Sequence, residues 1–191
     1  MFEASVTCEL RWYHVNYVLI CYKDFFVWRE YMRKFFKISA DEFIKSNLGS
    51  ESDYNDFSLP SRSTKFSAGY DFKLLSDVLL KPGDKVTIPT GIKVSMENDE
   101  VLMIFIRSSL GFKYNIRLCN QVGIIDSDYF NNSDNEGHIF IKIENAGADT
   151  VSFKKGDRFA QGIFVKFLTT DEDCATTVRN GGIGSTDKEL Q

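Results

Sequence analysis

Alternating apolar and polar positions in the middle of the chain predict β-strands. Apolar residues occupy every second position in 86–88, 92–96 and 139–143, which is the spacing of strands that bury one face. Residues 101–106 are apolar throughout, which indicates a strand buried on both faces. Turns such as Pro82–Asp84 separate the strands. The pattern therefore predicts an all-β sandwich or barrel.

One helix is predicted before these strands. Ser39 and Glu42 have the spacing of a capping box, and Gly49 is a plausible end. Its apolar face is Ala40, Phe43, Ile44 and Leu48. The polar segment 49–58 has the composition of a linker. We thus expect an N-terminal extension (1–58) with this short helix outside the barrel, a β-barrel (59–170) and a mobile C-terminal arm (171–191). Met32 is a candidate for the biological start.

Composition limits the function classes. The formal net charge is −4, whereas a general nucleic-acid binder needs a basic face, so we expect no direct nucleic-acid binding. The apolar segment 12–22 is shorter than the roughly 20 residues that span a bilayer, and no signal peptide is evident. The four cysteines form no CxxC pair and suit reduced thiols. These features predict a cytoplasmic protein without a membrane partner.

The segment 120–129 contains the clearest candidate chemistry. A strand that ends at Asp126 places a carboxylate at the rim of a packed sheet, which is a good position for a general base. Acidic residues at strand ends are also common turn formers, so this segment alone is weak evidence. Three other segments have equally ordinary alternatives as turns, capped loops or strand residues: 67–71, 107–111 and 156–161. The tail 179–187 reads equally as a flexible end or as a phosphate-wrapping loop.

Taken together in chain order, the five segments closely resemble the five motifs of the trimeric dUTPases, from Leu59 to Asp187. That order is 67–71, 107–111, 120–129, 156–161 and 179–187. The resemblance implies a jelly-roll-like β-barrel and a homotrimer with active sites shared between subunits. It also implies Mg²⁺-dependent hydrolysis of dUTP to dUMP and pyrophosphate by water attack on the α-phosphorus. Such an activity limits uracil in DNA and supplies dUMP for dTMP synthesis.

The same resemblance implies roles for individual residues. Asp126 matches the water-activating base, and Asp71 matches the carboxylate that holds the Mg²⁺ hydration shell through water. The phosphate contacts match Arg107, Ser108, Ser109 and Gln161. Asn120, Ile124, Ile125 and Phe140 match the uracil pocket, and Tyr129 matches the aromatic residue that excludes a ribose 2′-hydroxyl. The closing arm matches Arg179, Ile183, Gly184, Ser185 and Thr186.

The chain departs from the family pattern at three places. Ile106 stands where a proline usually opens the second motif, and Ile183 replaces the usual phenylalanine of the arm. The turn 131–136 is longer than the family keeps it.

Two alternatives remain open at this point. A dCTP deaminase shares the fold, but it needs a catalytic glutamate three residues before the asparagine that matches Asn145, and that position is Lys142. The second alternative is a dUTPase-like regulatory binding protein. The intact Asp126 and the intact arm disfavour a loss of activity.

Overall fold

The computed structural model describes residues 18–22 and 25–29 by their backbone, and residues 33–177, 179, 181 and 182 with their side chains. The arm residues Ile183, Gly184, Ser185 and Thr186 lie outside these ranges. The chain forms two compact units, Met1–Met32 and Arg33–Gln191. In the first unit, strands β1 (Val18–Tyr22) and β2 (Phe25–Arg29) pair antiparallel.

The second unit contains twelve strands and three α-helices within the described residues. The strands are β3 (Lys34–Lys37), β4 (Ser61–Arg62), β5 (Tyr70–Lys73), β6 (Val78–Leu80), β7 (Lys85–Pro89), β8 (Ile92–Ser95), β9 (Glu100–Ile106), β10 (Ile116–Leu118), β11 (Gly123–Asp126), β12 (Phe140–Asn145), β13 (Val151–Phe153) and β14 (Arg158–Lys166). The helices are α1 (Ala40–Lys45), α2 (Glu51–Asp56) and α3 (Ser108–Tyr114), with a 3-10 turn at Ser127–Tyr129.

Each of these strands pairs antiparallel with at least one other strand. The largest sheet has the order β11-β9-β14-β5-β4, and a second has the order β10-β12-β7. Two further pairs are β13-β6 and β3-β8. The prediction of an all-β, jelly-roll-like fold is confirmed. Strand β9 runs between β11 and β14, and none of residues 101–106 is exposed, in agreement with their continuous apolar sequence.

The sheets enclose one apolar core. Full burial of each large aliphatic or aromatic side chain contributes about 1.5–3 kcal/mol relative to exposure. The residues at the centre of this core are each at most 2% exposed and include Phe72, Leu74, Leu80, Ile92, Val94, Leu102, Ile104, Ile116, Ile139, Ile143, Phe159 and Ala160. Among the described residues, no helix is both long and apolar enough to cross a membrane.

The boundary between the extension and the barrel differs from the predicted one. Strand β3 pairs with β8, and Phe35, Ile38 and Phe43 are buried, so residues 33–58 belong to the same compact unit as the barrel. The expected linker contains helix α2, which has a complete capping box between Ser50 and Asp53. A four-residue strand leaves too short a periodic signal for its pairing to be predicted from sequence.

Helix α1 begins at the predicted residue, but its cap is only half of a capping box. The Ser39 hydroxyl accepts a hydrogen bond from the Glu42 N–H at 3.1 Å. The Ser39 N–H donates to Glu136 Oε2 at 3.0 Å, whereas the Glu42 carboxylate accepts from Lys45 and Ser46. A residue of the lengthened turn 131–136 therefore completes the cap of this helix.

Ile38→Ala tests whether residues 33–58 are part of the barrel's cooperative unit. Ile38 is fully buried, so the cavity should lower the free energy of unfolding by about 2–5 kcal/mol. Ile44→Ala is the matched control, because Ile44 is 55% exposed and its loss should cost under about 0.5 kcal/mol. Urea-induced unfolding of both variants provides the measurement. Equal midpoints would show that this segment folds independently of the barrel.

Candidate active site

Asp71 is the centre of the first group of predicted site residues. Its buried carboxylate forms an ion pair with Arg107 Nε at 3.1 Å through Oδ1. Oδ2 accepts hydrogen bonds from Ser63 Oγ at 2.6 Å and from Arg158 Nη1 at 3.2 Å. Arg158 also donates to Ser63 Oγ at 2.7 Å. Two guanidinium groups therefore surround one carboxylate, and this end of the sheet carries net positive charge.

Gln161 lies directly beside Asp71 in the sheet. It is opposite Asp71 on β5 and opposite Phe105 on β9. A Cβ atom at Gly69 would lie 2.3 Å from Gln161 Oε1, so the missing side chain at Gly69 makes room for this amide. The sequence thus positions an amide next to the charged group.

Arg107 connects β9 to helix α3 and sets the direction of the following residues. Its backbone N–H donates to Phe159 O at 3.1 Å, and its extended backbone makes it the N-cap residue of α3. Ser108 and Ser109 follow in the first turn, where both are exposed. We name Asp71, Arg107, Ser108, Ser109, Arg158 and Gln161 the cationic cluster.

Asp126 belongs to a second group at the other end of the sheet. Ile125 packs against the core, whereas Ile124 is 55% exposed. Because strand side chains alternate, Asp126 shares the outward face of Ile124. Its carboxylate is about half exposed, which leaves it accessible to water.

Tyr129 lies buried directly after Asp126. Its hydroxyl donates to His138 O at 3.0 Å and accepts from Asn135 Nδ2 at 2.9 Å. Burial raises the pKa of this phenol, although the Asn135 hydrogen bond and the Arg179 charge oppose the shift. The hydroxyl is therefore protonated at neutral pH and acts as a donor.

Arg179 of the arm contacts this second group within the same chain. Its Nη2 donates to Asp126 Oδ2 at 3.0 Å, and its backbone N–H donates to Asp128 Oδ2 at 3.3 Å. Its Nε lies 3.4 Å from Asp128 Oδ1, which is an ion-pair distance, but this N–H is not aligned for a hydrogen bond. The guanidinium lies 5.8 Å from the Tyr129 ring centre. Asp126, Asp128, Tyr129 and Arg179 form what we name the carboxylate cluster.

The predicted uracil pocket is partly assembled near this cluster. Cys119 N donates to Lys142 O at 3.0 Å, which extends the β10-β12 ladder and brings Asn120 toward Phe140. Asn120 is exposed, and Phe140 is half-buried against the His138 ring at 4.1 Å. Gly123 faces the core, where an added Cβ would approach Ile104 Cβ at 3.0 Å.

The two clusters are far apart in one chain. Asp126 is opposite Val101 on β9, whereas Asp71 is level with Phe105 and three strands away from β11. With about 3.3 Å per residue along a strand and about 4.8 Å between strands, their backbones are roughly 20 Å apart. A base must lie within about 3 Å of the group that it deprotonates, directly or through one water. The clusters of a single chain therefore cannot act on the same phosphorus atom.

Several contacts were not anticipated from the sequence. Arg158 lies in the segment 156–161, but strand alternation would place it on the face opposite Gln161. A register shift between Arg158 and Ala160 brings Arg158 to the same face as Gln161, so Arg158 and Gln161 both lie beside Asp71. Asn135 and Ser63 gave no sequence signal, because each acts through a turn whose shape is set by tertiary contacts.

A half-exposed aspartate, a buried tyrosine and a separate cationic cluster on one β-barrel suit a hydrolase that acts on a phosphorylated ligand. The dUTPase family model matches residues 55–187. A Lactococcus lactis (strain IL1403) protein named deoxyuridine 5'-triphosphate nucleotidohydrolase is 45% identical over 130 residues, covering 67% of this chain and 87% of the relative. The protein of that name from Shigella sonnei (strain Ss046) is 36% identical over 142 residues, covering 70% and 90%.

Solved structures agree with these relatives. A dUTPase from Streptococcus mutans superposes with a TM-score of 0.60 at 39% identity, covering 73% of this chain and 99% of that one. A dUTPase from phage phi11 of S. aureus, described as coordinating a structural Mg(II) ion, has a TM-score of 0.57 at 20% identity, covering 76% and 97%. The second likeness concerns the fold alone.

The chain belongs to the dUTPase family. It is a hydrolase of nucleotide metabolism, and its activity is the hydrolysis of dUTP. This assignment replaces the dCTP deaminase alternative.

His138 predicts a pH dependence of stability. Burial lowers the pKa of His138 to about 4, although the Glu42 and Glu136 charges oppose this shift. Protonation would also set Nε2 against the Gly91 N–H, which now donates to it at 2.9 Å. Since the folded-state pKa lies below the unfolded value near 6.5, the stability is complete above pH 6.5 and is lost as the pH falls toward 4. We expect a loss of about 2 kcal/mol between pH 8 and pH 5.

Urea-induced unfolding across that pH range measures the effect, and His138→Gln is the control because a glutamine amide can still accept the Gly91 N–H. The Gln variant should lose this slope. The range ends at pH 5 because below it Glu136 begins to bind a proton in the unfolded chain, which would add a second pH-dependent contribution to stability. Burial raises the pKa of Glu136, but hydrogen bonds from Ser39 and Lys93 lower it to about 2. Equal slopes in both proteins would contradict the assignment to His138.

Proposed function

We propose that this protein hydrolyses dUTP to dUMP and pyrophosphate by attack of water on the α-phosphorus, with Asp126 as the general base. The observation that supports this role is the position of Asp126: an outward carboxylate at the end of a rigid strand, half exposed to water and next to the buried Tyr129. Asp126 Oδ2 accepts the proton of the attacking water. General-base assistance of this kind raises the reaction rate by roughly 10²–10⁴-fold.

The cationic cluster binds the phosphates. Arg107 supplies a fixed positive charge, and the exposed hydroxyls of Ser108 and Ser109 donate to phosphate oxygens. Donors near the α–β bridging oxygen stabilise the charge that develops as pyrophosphate leaves. The Gln161 amide, held beside Asp71, contacts the α-phosphate.

Mg²⁺ fits this cluster only through water. The described residues include no group of three or more His, Cys, Asp or Glu side chains that could ligate a metal directly. Two guanidinium groups next to Asp71 oppose a directly bound cation. A carboxylate offers about four lone-pair positions, and three are used here, which leaves one for a metal-bound water. The bound Mg²⁺ would neutralise charge on the triphosphate.

Residues in and next to the carboxylate cluster recognise the uracil and the deoxyribose. The backbone of residues 120–125 and the Phe140 ring enclose the base. A base whose donors and acceptors differ from those of uracil would leave buried polar groups of this pocket unpaired and is therefore rejected. The Tyr129 ring lies beneath the sugar and leaves no room for a 2′-hydroxyl.

We propose a homotrimer in which the cationic cluster of one subunit faces the carboxylate cluster of its neighbour. The separation of roughly 20 Å within one chain supports this arrangement, because neither cluster alone contains a base, phosphate donors and a sugar pocket. Cyclic symmetry then provides three equivalent sites.

We also propose a cytoplasmic location, because the free, exposed thiols of Cys119 and Cys174 fit a reducing cytoplasm.

Arg179 exchanges its partners during catalysis. It leaves Asp126 and Asp128 for the terminal phosphates when nucleotide binds, and residues 183–186 close over the triphosphate with their backbone N–H groups. Ile183 provides a smaller contact over the base than the aromatic residue usual in the family.

Asp126→Asn should preserve the fold and lower turnover of dUTP by roughly 10²–10⁴, because the amide keeps the shape but cannot accept the proton. Pyrophosphate release under saturating dUTP and Mg²⁺ measures this. Asp128→Asn is the matched control, since it removes another Arg179 partner but keeps the base, and its turnover should fall less than about tenfold. Similar losses in both variants would mean that Asp126 acts only by holding Arg179.

Mixed trimers test the shared site. Asp126→Asn and Arg107→Ala subunits should each be inactive alone, because each breaks every site in its own trimer. After joint refolding in equal amounts, about a quarter of the sites combine an intact Arg107 with an intact Asp126 from the neighbour, so about a quarter of wild-type activity should return. Light scattering tests for the trimer, and co-purification through a tag on one of the two variants verifies that the subunits have mixed. No recovery in a verified mixed trimer would place both clusters' action within one chain.

A further inference from the structure

The lengthened turn 131–136 is built around two asparagine side chains. The buried Asn132 donates through Nδ2 to Tyr129 O at 2.9 Å and to Asn135 Oδ1 at 2.9 Å. Its Oδ1 accepts from the backbone N–H groups of Asp134 and Asn135 at 3.0 and 3.2 Å. Every polar atom of this amide is used, so the turn has one defined shape.

Asn135 connects this turn to the Tyr129 hydroxyl. Its Oδ1 accepts from Asn132 Nδ2 and from Gly137 N at 3.1 Å, so its Nδ2 must point toward Tyr129. Nδ2 donates to the Tyr129 hydroxyl at 2.9 Å while that hydroxyl donates to His138 O. Gly137 cannot be larger, because an added Cβ would lie 2.6 Å from Tyr129 O. Both the backbone and the hydroxyl of Tyr129 are thereby fixed.

The outer side of the turn is anchored to the barrel unit. Glu136 accepts from Ser39 N at 3.0 Å and from Lys93 Nζ at 2.9 Å, and Lys93 also donates to Asn131 Oδ1 at 2.8 Å. Glu136 holds a left-handed φ of 60°, which is costly for this residue type and is maintained by these contacts. The turn is therefore supported on one side and supports Tyr129 on the other.

We propose that Asn135 is a positioning residue for sugar discrimination. A side chain excludes a 2′-hydroxyl by contact only if it cannot move away, and the Asn135 hydrogen bond prevents the Tyr129 ring from tilting. The turn that lengthens this chain relative to the family pattern thus sets the depth of the sugar pocket. This inference rests on the proposed role of Tyr129.

The test compares kcat/KM for dUTP and UTP in the full-length enzyme with Mg²⁺. Asn135→Ala should reduce the preference for dUTP over UTP by about fivefold to tenfold, the scale of one net hydrogen bond. Asn131→Gly is the matched control: it removes an amide of the same turn that bonds Lys93, and glycine accepts the φ of 55° at this position. This control should keep the wild-type preference.

Tyr129→Phe removes the hydroxyl and leaves every residue of the turn in place, and it should reduce the preference at least as much, because it also removes the bond to His138 O. Asn135→Ala added to Tyr129→Phe should then have no further effect, because the bond is already absent. A full additional loss in the double variant would overturn the inference, since Asn135 would be acting through another group. If Asn135→Ala fails to fold, an unchanged preference in Tyr129→Phe overturns it equally.

Tyr129→Ala separates this inference from the role on which it rests. If UTP is admitted by Tyr129→Ala but not by Asn135→Ala, the sugar role stands and the positioning role of Asn135 is wrong. If Tyr129→Ala still excludes UTP, the sugar role itself fails. Thermal denaturation of each variant distinguishes a change in pocket shape from general unfolding.

Discussion

The antiparallel ladder of strand β9 is the constraint on which the site depends. β11 pairs along one edge and β14 along the other, so Asp126 is fixed opposite Val101 while Gln161 is fixed opposite Phe105. A slip of one residue would turn every side chain to the opposite face, and the buried Leu102 and Ile104 forbid it. The distance between the backbones of Asp126 and Gln161 is therefore a property of the fold and does not depend on side-chain rotamers.

This geometry also separates the charges. The cationic cluster places two arginines around one aspartate, whereas the carboxylate cluster places Asp126 and Asp128 around one arginine. Phosphates are attracted to the first arrangement and would be repelled by the second. The base that we propose, Asp126, is a carboxylate, and its place on another part of the fold avoids repulsion within one subunit's phosphate site. The formal charge of −4 thus says little about the local field that the nucleotide meets.

The fold class and the segments that contain the candidate site residues could be predicted from the sequence. The contacts of those residues could not. Strand periodicity identified the buried strand at 101–106, and the Ser39 cap marked the start of helix α1, because both signals are local. Arg158 could not be assigned, since a register shift in β14 changes the face it reaches. The packing of β3 on β8 and the helix in 51–56 were also missed, because short elements obtain their stability from tertiary contacts.

The arm joins the two charge patterns. Arg179 Nη2 donates to Asp126 Oδ2, so the carboxylate that we propose as the general base shares one of its oxygens with a guanidinium in this structure. A triphosphate offers more negative charge than two half-exposed carboxylates and draws the arginine away from them. In the mechanism that we propose, the release of Asp126 then coincides with the arrival of phosphate. Gly182 N also donates to Asp134 Oδ2 at 2.8 Å, so the turn that contacts Tyr129 contacts the arm as well, and the proposed exchange would have to break this bond or carry it along.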